Sequence, residues 1–324
     1  MEVTMAGALN AALRDSMRED DSVVVYGEDV GRLGGVFRIT DGLQTEMGAD
    51  RCFDTPVAES GIVGTAIGMA LYGMRPVVEM QFDGFSYPAL NQVISHVAKY
   101  RSRTRGRVGL PLVIRIPYGG GIGAVEHHSE SPEAYYAHTA GLTVVSPGTP
   151  ADAYALLRAS IAFEDPVIFL EPKRRYWLKE DLDFPVTAPP IGKAIVRRPG
   201  TTATVIAYGP MVTTAMEAAT RAADESGLDL EVIDVRTLSP LDIETLVTSA
   251  TKTGRVVVVH EAARFAGFGA EIAAELNERA FGYLAAPVLR VSGWDVPYPS
   301  AKIERHFLPD ADRILDAVGR LLEY

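Results

Sequence analysis

Polar side chains follow several short apolar runs in the first half of the sequence, at the points where buried strands would end. Glu28, Glu59 and Gln81 each stand at such a point, and a fourth run leads into the glycine-rich loop 118–123. Short continuous apolar runs are typical of buried parallel strands. Because the carboxyl ends of parallel strands meet at one edge of a sheet, where ligands bind, these residues predict a site at that edge.

Glu59 has the most informative surroundings. It lies between the stretch Thr55–Ala58 and a segment built of glycine, alanine and isoleucine. A carboxylate in such surroundings is poorly solvated, and a poorly solvated carboxyl group can hold or move a proton in catalysis. The alternative is an ordinary first-turn glutamate, favoured at that place by the helix dipole. The residues alone leave both interpretations open.

His127 and His128 lie in a polar loop just before Ser131–Glu133, a sequence that starts a helix well. A loop histidine can act as an acid or a base near neutral pH, and the alternative is an ordinary exposed pair. A zinc site is disfavoured, because the chain has one cysteine and because Arg264 stands where a second histidine would have to follow His260.

The glycine-rich loop lacks the signature of a nucleotide site. The segment Gly121–Glu126 ends in glutamate where the dinucleotide fingerprint needs glycine or alanine, and no Gly-Lys-Ser/Thr phosphate loop occurs. We therefore expect the loop to allow a close approach of its backbone to a partner or a ligand. The basic run Lys99–Arg107 is either a solvated helix end or a partner-binding or ion-pairing surface.

The elements that must position these residues alternate between strands and helices, which predicts a parallel α/β sheet with helices on both faces. Small residues recur at helical spacing between Ala58 and Leu71, so another element should pack very close to that helix. The helices predicted in the first half are Thr4–Glu19 with Thr4 as its cap, Ile39–Met47 ending at Gly48, Ala58–Leu71, Ser86–Arg101 and Ala151–Phe163. The strands predicted there are Ser22–Tyr26, Cys52–Pro56, Pro76–Met80, Leu112–Ile116, Leu142–Val145 and Val167–Leu170.

Composition limits the class of protein. The chain has 324 residues, a net charge of -11 and 47% apolar residues, as expected for a globular protein of two domains. The acidity argues against a nucleic-acid or anionic-membrane surface. A single cysteine, Cys52, indicates a reducing compartment, and neither a signal peptide nor a membrane-spanning run is recognisable. We therefore expect a cytoplasmic protein.

The composition changes in the segment 171–200, which is rich in proline and charge. A second alternation of strands and helices begins after it. We therefore predict a first domain at 1–180, a linker at 181–200 and a second, smaller α/β domain at 201–324.

Taken together and in order, the sequence motifs resemble the beta subunit of the decarboxylating component of 2-oxo acid dehydrogenase complexes. The resemblance runs through the whole chain, and each predicted domain carries its own motifs. In the first domain these are Gly27-Glu28-Asp29-Val30, Gly34-Gly35-Val36-Phe37-Arg38-Ile39-Thr40, Asp54-Thr55-Pro56-Val57-Ala58-Glu59, Glu79-Met80-Gln81-Phe82, His128-Ser129-Glu130-Ser131-Pro132-Glu133 and Leu170-Glu171-Pro172-Lys173. In the second they are Asp234-Val235-Arg236-Thr237-Leu238-Ser239-Pro240-Leu241-Asp242, Gly267-Phe268-Gly269-Ala270-Glu271-Ile272 and Asp295-Val296-Pro297-Tyr298-Pro299.

The resemblance implies a transketolase-like α/β fold, with a parallel-sheet pyrimidine-binding domain and a smaller transketolase C-terminal domain. It implies an α2β2 heterotetramer with thiamine diphosphate between subunits. The Gly-Asp-Gly motif that holds the diphosphate and Mg²⁺ on the alpha subunit is absent from this sequence. The implied reaction is oxidative decarboxylation of a 2-oxo acid, branched-chain before pyruvate, with acylation of a lipoyl-lysine on the acyltransferase component. The alternative is a non-catalytic beta scaffold that only docks that component.

The resemblance also assigns roles to single residues. Glu59 matches the glutamate that hydrogen-bonds the aminopyrimidine ring of the cofactor, and His128 matches the histidine used in reductive acylation of the lipoyl group. Residues expected to line the pyrimidine pocket with Glu59 are Glu28, Val57, Gln81 and Phe85. Backbone carbonyls expected to hold a structural K⁺ belong to Leu112, Ser160, Ile161, Phe163 and Asp165. Relatives often carry aspartate where Phe163 stands, although ligation by carbonyls tolerates such a change.

Overall fold

The computed structural model describes residues 1–324, and two α/β units follow each other along the chain. The strands of the first unit are β1 (Glu2–Thr4), β2 (Val23–Gly27), β3 (Cys52–Asp54), β4 (Arg75–Glu79), β5 (Val113–Tyr118), β6 (Thr143–Val145), β7 (Val167–Pro172) and β8 (Lys179–Asp181). Its helices are α1 (Met5–Glu19), α2 (Leu43–Met47), α3 (Glu59–Leu71), α4 (Leu90–Ser95), α5 (Tyr100–Arg103), α6 (Glu133–Ala137) and α7 (Pro150–Ala162). Short 3-10 turns cover Asp83–Ala89, Val97–Lys99, Glu126–His128 and Lys173–Arg175.

The second unit has fewer elements. Its strands are β9 (Ile195–Arg198), β10 (Ala203–Ala207), β11 (Leu230–Asp234), β12 (Thr237–Ser239), β13 (Val256–Ala263) and β14 (Leu289–Gly293). Its helices are α8 (Met211–Ser226), α9 (Ile243–Thr253), α10 (Gly269–Ala280), α11 (Glu304–Phe307) and α12 (Ala311–Leu322). No helix combines the length and the apolar composition that crossing a bilayer requires.

The first unit is built on a seven-stranded sheet with the strand order β12-β6-β7-β5-β4-β2-β3. Strands β2 to β7 are parallel, as the alternation of strands and helices predicted. Every residue of β2, β5 and β7 is buried, because helices cover both faces of the sheet. All six strands predicted from apolar runs are present, with ends shifted by one or two residues.

The second unit has a five-stranded sheet in the order β14-β13-β10-β11-β9, parallel except for β9. Strand β9 belongs to this sheet although it lies within the predicted linker. Strand β12, from within the predicted second domain, instead pairs antiparallel with β6 at the edge of the first sheet. The domain limits 1–180, 181–200 and 201–324 stay a prediction, because each sheet includes a strand from a different predicted segment.

A buried arginine ties the two units together next to β12. Arg236 donates from Nε to Oδ1 of Asp152 on α7 at 2.9 Å. Its two terminal nitrogens donate to the carbonyl oxygens of Lys193 and Pro189 at 2.8 and 3.0 Å. Every part of the guanidinium therefore has a partner, one from the first predicted domain and two from within the predicted linker.

Helix caps explain where several helices begin. The hydroxyl of Thr4 accepts a hydrogen bond from the amide of Gly7 at 3.1 Å, which confirms Thr4 as the cap of α1. Thr149 caps α7 in the same way through the amide of Asp152, with Pro150 as the first helical residue. These local signals are why α1 and α7 follow their predicted ranges closely.

Two predicted helices were wrong in extent. The helix expected from Ile39 begins only at Leu43, because Gly42 adopts a left-handed conformation with φ of +77° directly before it. The helix expected over 86–101 is broken into short 3-10 and α-helical pieces. Pro88 lies inside the first piece and lacks the amide that a continuous helix would use.

Helix α3 leaves its small-residue face uncovered. The expectation that another element packs very close to it is wrong within this chain, because a Cβ built on Gly64 or Gly68 meets nothing within 4 Å. Leu71 and Tyr72 at the end of the helix are exposed as well. The helix thus presents a smooth, largely apolar surface.

A charged cluster lies in the core beneath the carboxyl edge of the first sheet. Arg115 donates from Nη1 to Oε2 of Glu79 at 2.7 Å, and from Nε and Nη2 to the two oxygens of Glu171 at 2.6 and 3.0 Å. The Tyr176 hydroxyl donates to the same Glu171 at 2.7 Å. All four side chains are buried, so one guanidinium holds two carboxylates away from water.

Candidate active site at the carboxyl edge of the first sheet

The predicted polar residues meet at one edge of the sheet, as expected for parallel strands. Glu28 follows β2, Glu59 opens α3 directly after β3, and Gln81 follows β4. Strands β2, β3 and β4 are neighbours in the sheet, so their carboxyl ends lie side by side. Nε2 of Gln81 donates to Oδ2 of Asp29 at 2.9 Å, which ties the ends of β4 and β2 together.

Glu28 and Glu59 form a buried pair of carboxyl groups. Only 2% of Glu28 and 6% of Glu59 is exposed, and neither carboxyl oxygen of Glu28 has a hydrogen-bond partner. Burial, followed by the nearby charge of Glu59, raises the pKa of Glu28 from its ordinary value of 4.5 to about 7. The pair can therefore keep a proton at neutral pH and present it to a nitrogen-containing ligand.

The raised pKa of Glu28 predicts how stability depends on pH. In the folded chain Glu28 holds its proton until about pH 7, whereas the unfolded chain releases it near pH 4.5. The contribution of Glu28 to stability is full below pH 4.5 and is lost as the pH rises through about 7. Position 28 does not titrate in the variant Glu28→Gln. We therefore expect the unfolding midpoint of the variant to rise relative to that of the unaltered chain as the pH increases from 4.5 to about 7.

Thermal unfolding of the cofactor-free protein at pH 4.5, 5.5, 7 and 8 measures this difference between the two unfolding midpoints. The variant Glu278→Gln serves as control, because Glu278 is exposed on α10. A difference between Glu28→Gln and the unaltered chain that stays constant with pH would contradict the assignment of a raised pKa to Glu28.

His128 stands in an aromatic slot formed by Phe82 and Phe85. Its ring stacks on Phe82 with centroids 4.1 Å apart, and Phe85 meets it edge-on at 5.1 Å. Burial, with the charge of His127 adding to it, lowers the pKa of His128 below its ordinary value. The ring is therefore mostly neutral at physiological pH, and once protonated it gives up its proton readily.

The backbone of His128 is held by a buried ion pair that was not predicted. Nζ of Lys173 donates to the His128 carbonyl oxygen at 2.6 Å and pairs with Asp83, which in turn accepts from the Glu130 amide at 2.9 Å. Lys173 belongs to one of the motifs quoted above, but nothing local links it to Asp83 ninety residues earlier. Gly84 adds a close contact, since a Cβ there would overlap the His127 carbonyl oxygen.

The two remaining residues of the predicted pyrimidine pocket differ in setting. Phe85 is half-buried and contacts His128. Val57 is 73% exposed and points away from the chain, just before Glu59. An exposed valine beside a buried carboxylate is suited to contact a group shared with another subunit, and its role stays a prediction.

The basic run near residue 100 is largely solvated. Arg101 forms an ion pair with Asp165, whereas Arg103, Arg105 and Arg107 are exposed. One member of the run therefore pairs within the chain, and the others remain open to solvent.

The predicted potassium ligands fit an ion poorly. Nη1 of Arg75 donates to the carbonyl oxygens of Ile161 and Phe163, both at 3.1 Å. A potassium ion there would share its oxygens with a guanidinium of like charge. The carbonyl oxygens of Leu112 and Ser160 accept backbone amides, and Asp165 pairs with Arg101. The potassium site stays a prediction, and no function is built on it.

Thiamine diphosphate fits the edge of the sheet better. The unpartnered carboxyl oxygens of Glu28 are buried beside Glu59, and a pyrimidine offers nitrogen atoms to such a pair. No group of three His, Cys, Asp or Glu side chains is arranged to hold a metal ion. The residues of this chain therefore suit the pyrimidine half of the cofactor.

Comparison with known proteins agrees with this geometry. Residues 1–177 match the pyrimidine-binding domain of transketolase, and residues 192–314 match the transketolase C-terminal domain. The fold is similar to that of a solved structure described as a split-gene transketolase, inactive beta4 tetramer. The TM-score is 0.82 at 25% identity, over 99% of this chain and 98% of the other. The predicted transketolase-like fold is confirmed.

Close relatives cover almost the whole chain. The 3-methyl-2-oxobutanoate dehydrogenase subunit beta of Mycobacterium tuberculosis is 56% identical, over 99% of this chain and 92% of the relative. The pyruvate dehydrogenase E1 component subunit beta of Leifsonia xyli is 54% identical, over 99% and 95%. The 2-oxoisovalerate dehydrogenase subunit beta of Pseudomonas aeruginosa is 48% identical, over 99% and 95%. Because these relatives match almost the whole chain, and because both transketolase domains are present, this chain belongs to the family of 2-oxo acid dehydrogenase beta subunits.

Proposed function

We propose that this chain is the beta subunit of an α2β2 enzyme that decarboxylates a 2-oxo acid with thiamine diphosphate and transfers the acyl group to a lipoyl-lysine of the acyltransferase component. The observation that carries the proposal is the buried pair Glu28 and Glu59 at the carboxyl edge of the first sheet. Family membership supports the reaction class, because the relatives are named as dehydrogenase beta subunits.

The chain's own residues prepare the cofactor rather than react with the substrate. When bound, thiamine diphosphate supplies a nucleophilic thiazolium carbon and an electron sink for decarboxylation. Glu28 can keep its proton near neutral pH, because burial and the neighbouring Glu59 raise its pKa to about 7. Glu59 would accept a hydrogen bond from a pyrimidine ring nitrogen and so hold a proton there, which favours the imino form of the ring's amino group, and the imino nitrogen is the base. Burial strengthens the interaction because little water competes for Glu59.

His128 is proposed to serve the second half of the reaction. Opening of the lipoyl disulfide leaves a thiolate that needs a proton, and a histidine with a lowered pKa donates one readily. Phe82 and Phe85 hold the ring against rotation, and Lys173 fixes its backbone. His127 is exposed, its ring lies 4.2 Å from that of His128, and it is not assigned a role.

The alpha subunit is proposed to hold the diphosphate and Mg²⁺. The Gly-Asp-Gly motif for this task is missing from the chain. The exposed small-residue face of α3 begins at Glu59, so a subunit packed there would reach the carboxyl pair. A complete site would then need residues of both chains.

Branched-chain 2-oxo acids are the proposed substrates, with pyruvate next. The segment Gln81–Ala89 resembles branched-chain and broad-specificity bacterial members more than animal pyruvate enzymes. Relatives named for the two kinds of substrate are almost equally similar, at 56% and 54% identity, so overall similarity does not decide the substrate.

Reconstitution with an alpha subunit tests the proposal. We expect decarboxylation, read with ferricyanide as electron acceptor, only when alpha, thiamine diphosphate and Mg²⁺ are all present. 3-Methyl-2-oxobutanoate should give a higher kcat/KM than pyruvate. Robust decarboxylation by the beta chain alone would overturn the division of the site between subunits, and a preference for pyruvate would overturn only the substrate.

The scaffold alternative makes a different prediction in the same preparation. A scaffold needs neither Glu59 nor His128, so Glu59→Ala should leave the thermal stabilisation of the αβ assembly by thiamine diphosphate unchanged. The catalytic proposal expects this stabilisation to shrink clearly, because a buried hydrogen-bond partner of the cofactor is removed.

A further inference from the structure

The glycine-rich loop after β5 is shaped to hold an anion with its backbone. Gly119, Gly121 and Gly123 have φ of +80°, +85° and +72°, so left-handed glycines alternate with other residues. This alternation turns successive amide N–H groups toward one side, and such concave arrays of N–H groups bind anions. The sequence excludes a nucleotide fingerprint here, so the anion has to be of another kind.

The anion is a carboxylate of the second unit. Both oxygens of Glu304 on α11 accept hydrogen bonds from the loop, one from the Gly121 amide and one from the Gly123 amide, each at 3.1 Å. The Tyr298 hydroxyl donates to Glu304 at 2.9 Å and accepts from the Gly121 amide at 3.2 Å. The Gly120 amide donates to a second carboxylate, that of Glu261 at the end of β13.

These contacts leave no space for an external anion. A Cβ on Gly120 would overlap the Tyr298 hydroxyl, and one on Gly121 would lie 2.9 Å from Cδ of Arg174. Arg174 itself pairs with Glu261 at 3.1 Å. The close backbone approach that the glycines predicted is thus an approach to the second unit of the same chain.

The loop leads directly to His128. The Gly119 amide donates to the Glu130 carbonyl oxygen at 2.8 Å, which closes residues 119–130 into one loop. Lys173 holds the outgoing side of this loop through the His128 carbonyl, and Glu304 holds its tip. Glu304 contacts the loop and Tyr298, whereas the Glu28 and Glu59 pair lies just after β2 and at the start of α3.

We propose that Glu304 is a positioning residue for His128, acting through the glycine loop. This inference rests on the function proposed above for His128. Removing the carboxylate leaves the Gly123 amide without its acceptor and the Gly121 amide with the Tyr298 hydroxyl alone, so the loop gains mobility and the imidazole loses its fixed place. Displacing a catalytic group by about 1 Å can slow a reaction by about a hundredfold, so acylation of the lipoyl group should fall by roughly tenfold to a hundredfold.

The experiment compares two half-reactions in the assembled αβ enzyme carrying Glu304→Gln or Glu304→Ala. Decarboxylation is read with ferricyanide, and acyl transfer is read with an isolated lipoyl domain as acceptor. We expect decarboxylation to stay within about twofold, kcat for lipoyl acylation to fall by the factor given above, and KM for the lipoyl domain to stay nearly constant. The control Glu278→Gln should change neither rate.

Hydrogen–deuterium exchange gives a readout that is independent of activity. Amides of residues 119–130 should exchange faster in both Glu304 variants than in the unaltered enzyme. Their exchange rate should stay the same in Glu278→Gln. Equal loss of both half-reactions would indicate a merely structural role, and unchanged lipoyl acylation or unchanged exchange would also overturn the inference. If the unaltered assembly itself fails to decarboxylate, the proposed function fails, while the exchange measurement still tests the loop contact.

Discussion

Glu59→Gln should slow decarboxylation by the assembled enzyme by at least about a hundredfold. Glutamine has nearly the same shape as glutamate, so packing at the start of α3 should persist. It lacks the carboxyl group that would hold a proton on the pyrimidine nitrogen. Glu28 is not placed to take over this role, because it follows β2 rather than opening α3, and burial, the largest cause of its raised pKa, persists in the variant.

The measurement is the initial rate with ferricyanide at saturating thiamine diphosphate and Mg²⁺. Cofactor affinity is measured separately by thermal shift, so that lost binding is not mistaken for lost chemistry. The control is Glu225→Gln, since Glu225 forms an exposed pair with Arg221 on α8 and lies far along the chain. If Glu59→Gln retained more than half of the rate, the carboxylate would have no part in catalysis.

Arg115→Met should destabilise the chain by about 3–5 kcal/mol. Methionine fills much of the same volume, but the carboxylates of Glu79 and Glu171 lose the guanidinium that both of them contact. Two buried carboxylates without a cation must take up protons or draw in water. The loss of stability should therefore be larger at pH 8 than at pH 5.5, where protonation is easier.

Urea unfolding at the two pH values tests this expectation. Arg279→Met is the matched control, because Arg279 is exposed and pairs only with Glu275 one turn away on α10. The control should leave the unfolding midpoint almost unchanged. A loss for Arg115→Met as small as that for Arg279→Met would mean that water reaches the cluster in solution.

Much of the site could be predicted from sequence because it depends on local patterns. Apolar runs marked the strands, and parallel strands bring their carboxyl ends to one edge, so Glu28, Glu59 and Gln81 were predicted to meet there. The structure brings these three residues together. What the pattern could not distinguish was a catalytic Glu59 from a first-turn helix residue, and that distinction came from resemblance to a family.

The remaining features depend on partners far away in the chain. Asp83 and Lys173 are ninety residues apart, and Glu304 is 183 residues from Gly121, so no local period links them. The predicted helix over 86–101 was wrong because one proline outweighed a favourable apolar pattern. The small residues of α3 predicted close packing on that face of the helix. The chain itself leaves the face uncovered at Gly64 and Gly68, so it is open to another protein.

Strand β12 has a consequence for how the protein is made. It completes the outer edge of the first sheet, where β6 otherwise has no neighbour on that side. On the ribosome, residues 1–180 emerge before 237–239 have been synthesised, so the nascent first domain exposes the edge of β6. We therefore expect the first unit to remain dependent on chaperones until translation has passed residue 239, and a polypeptide stopped at residue 200 to aggregate rather than fold.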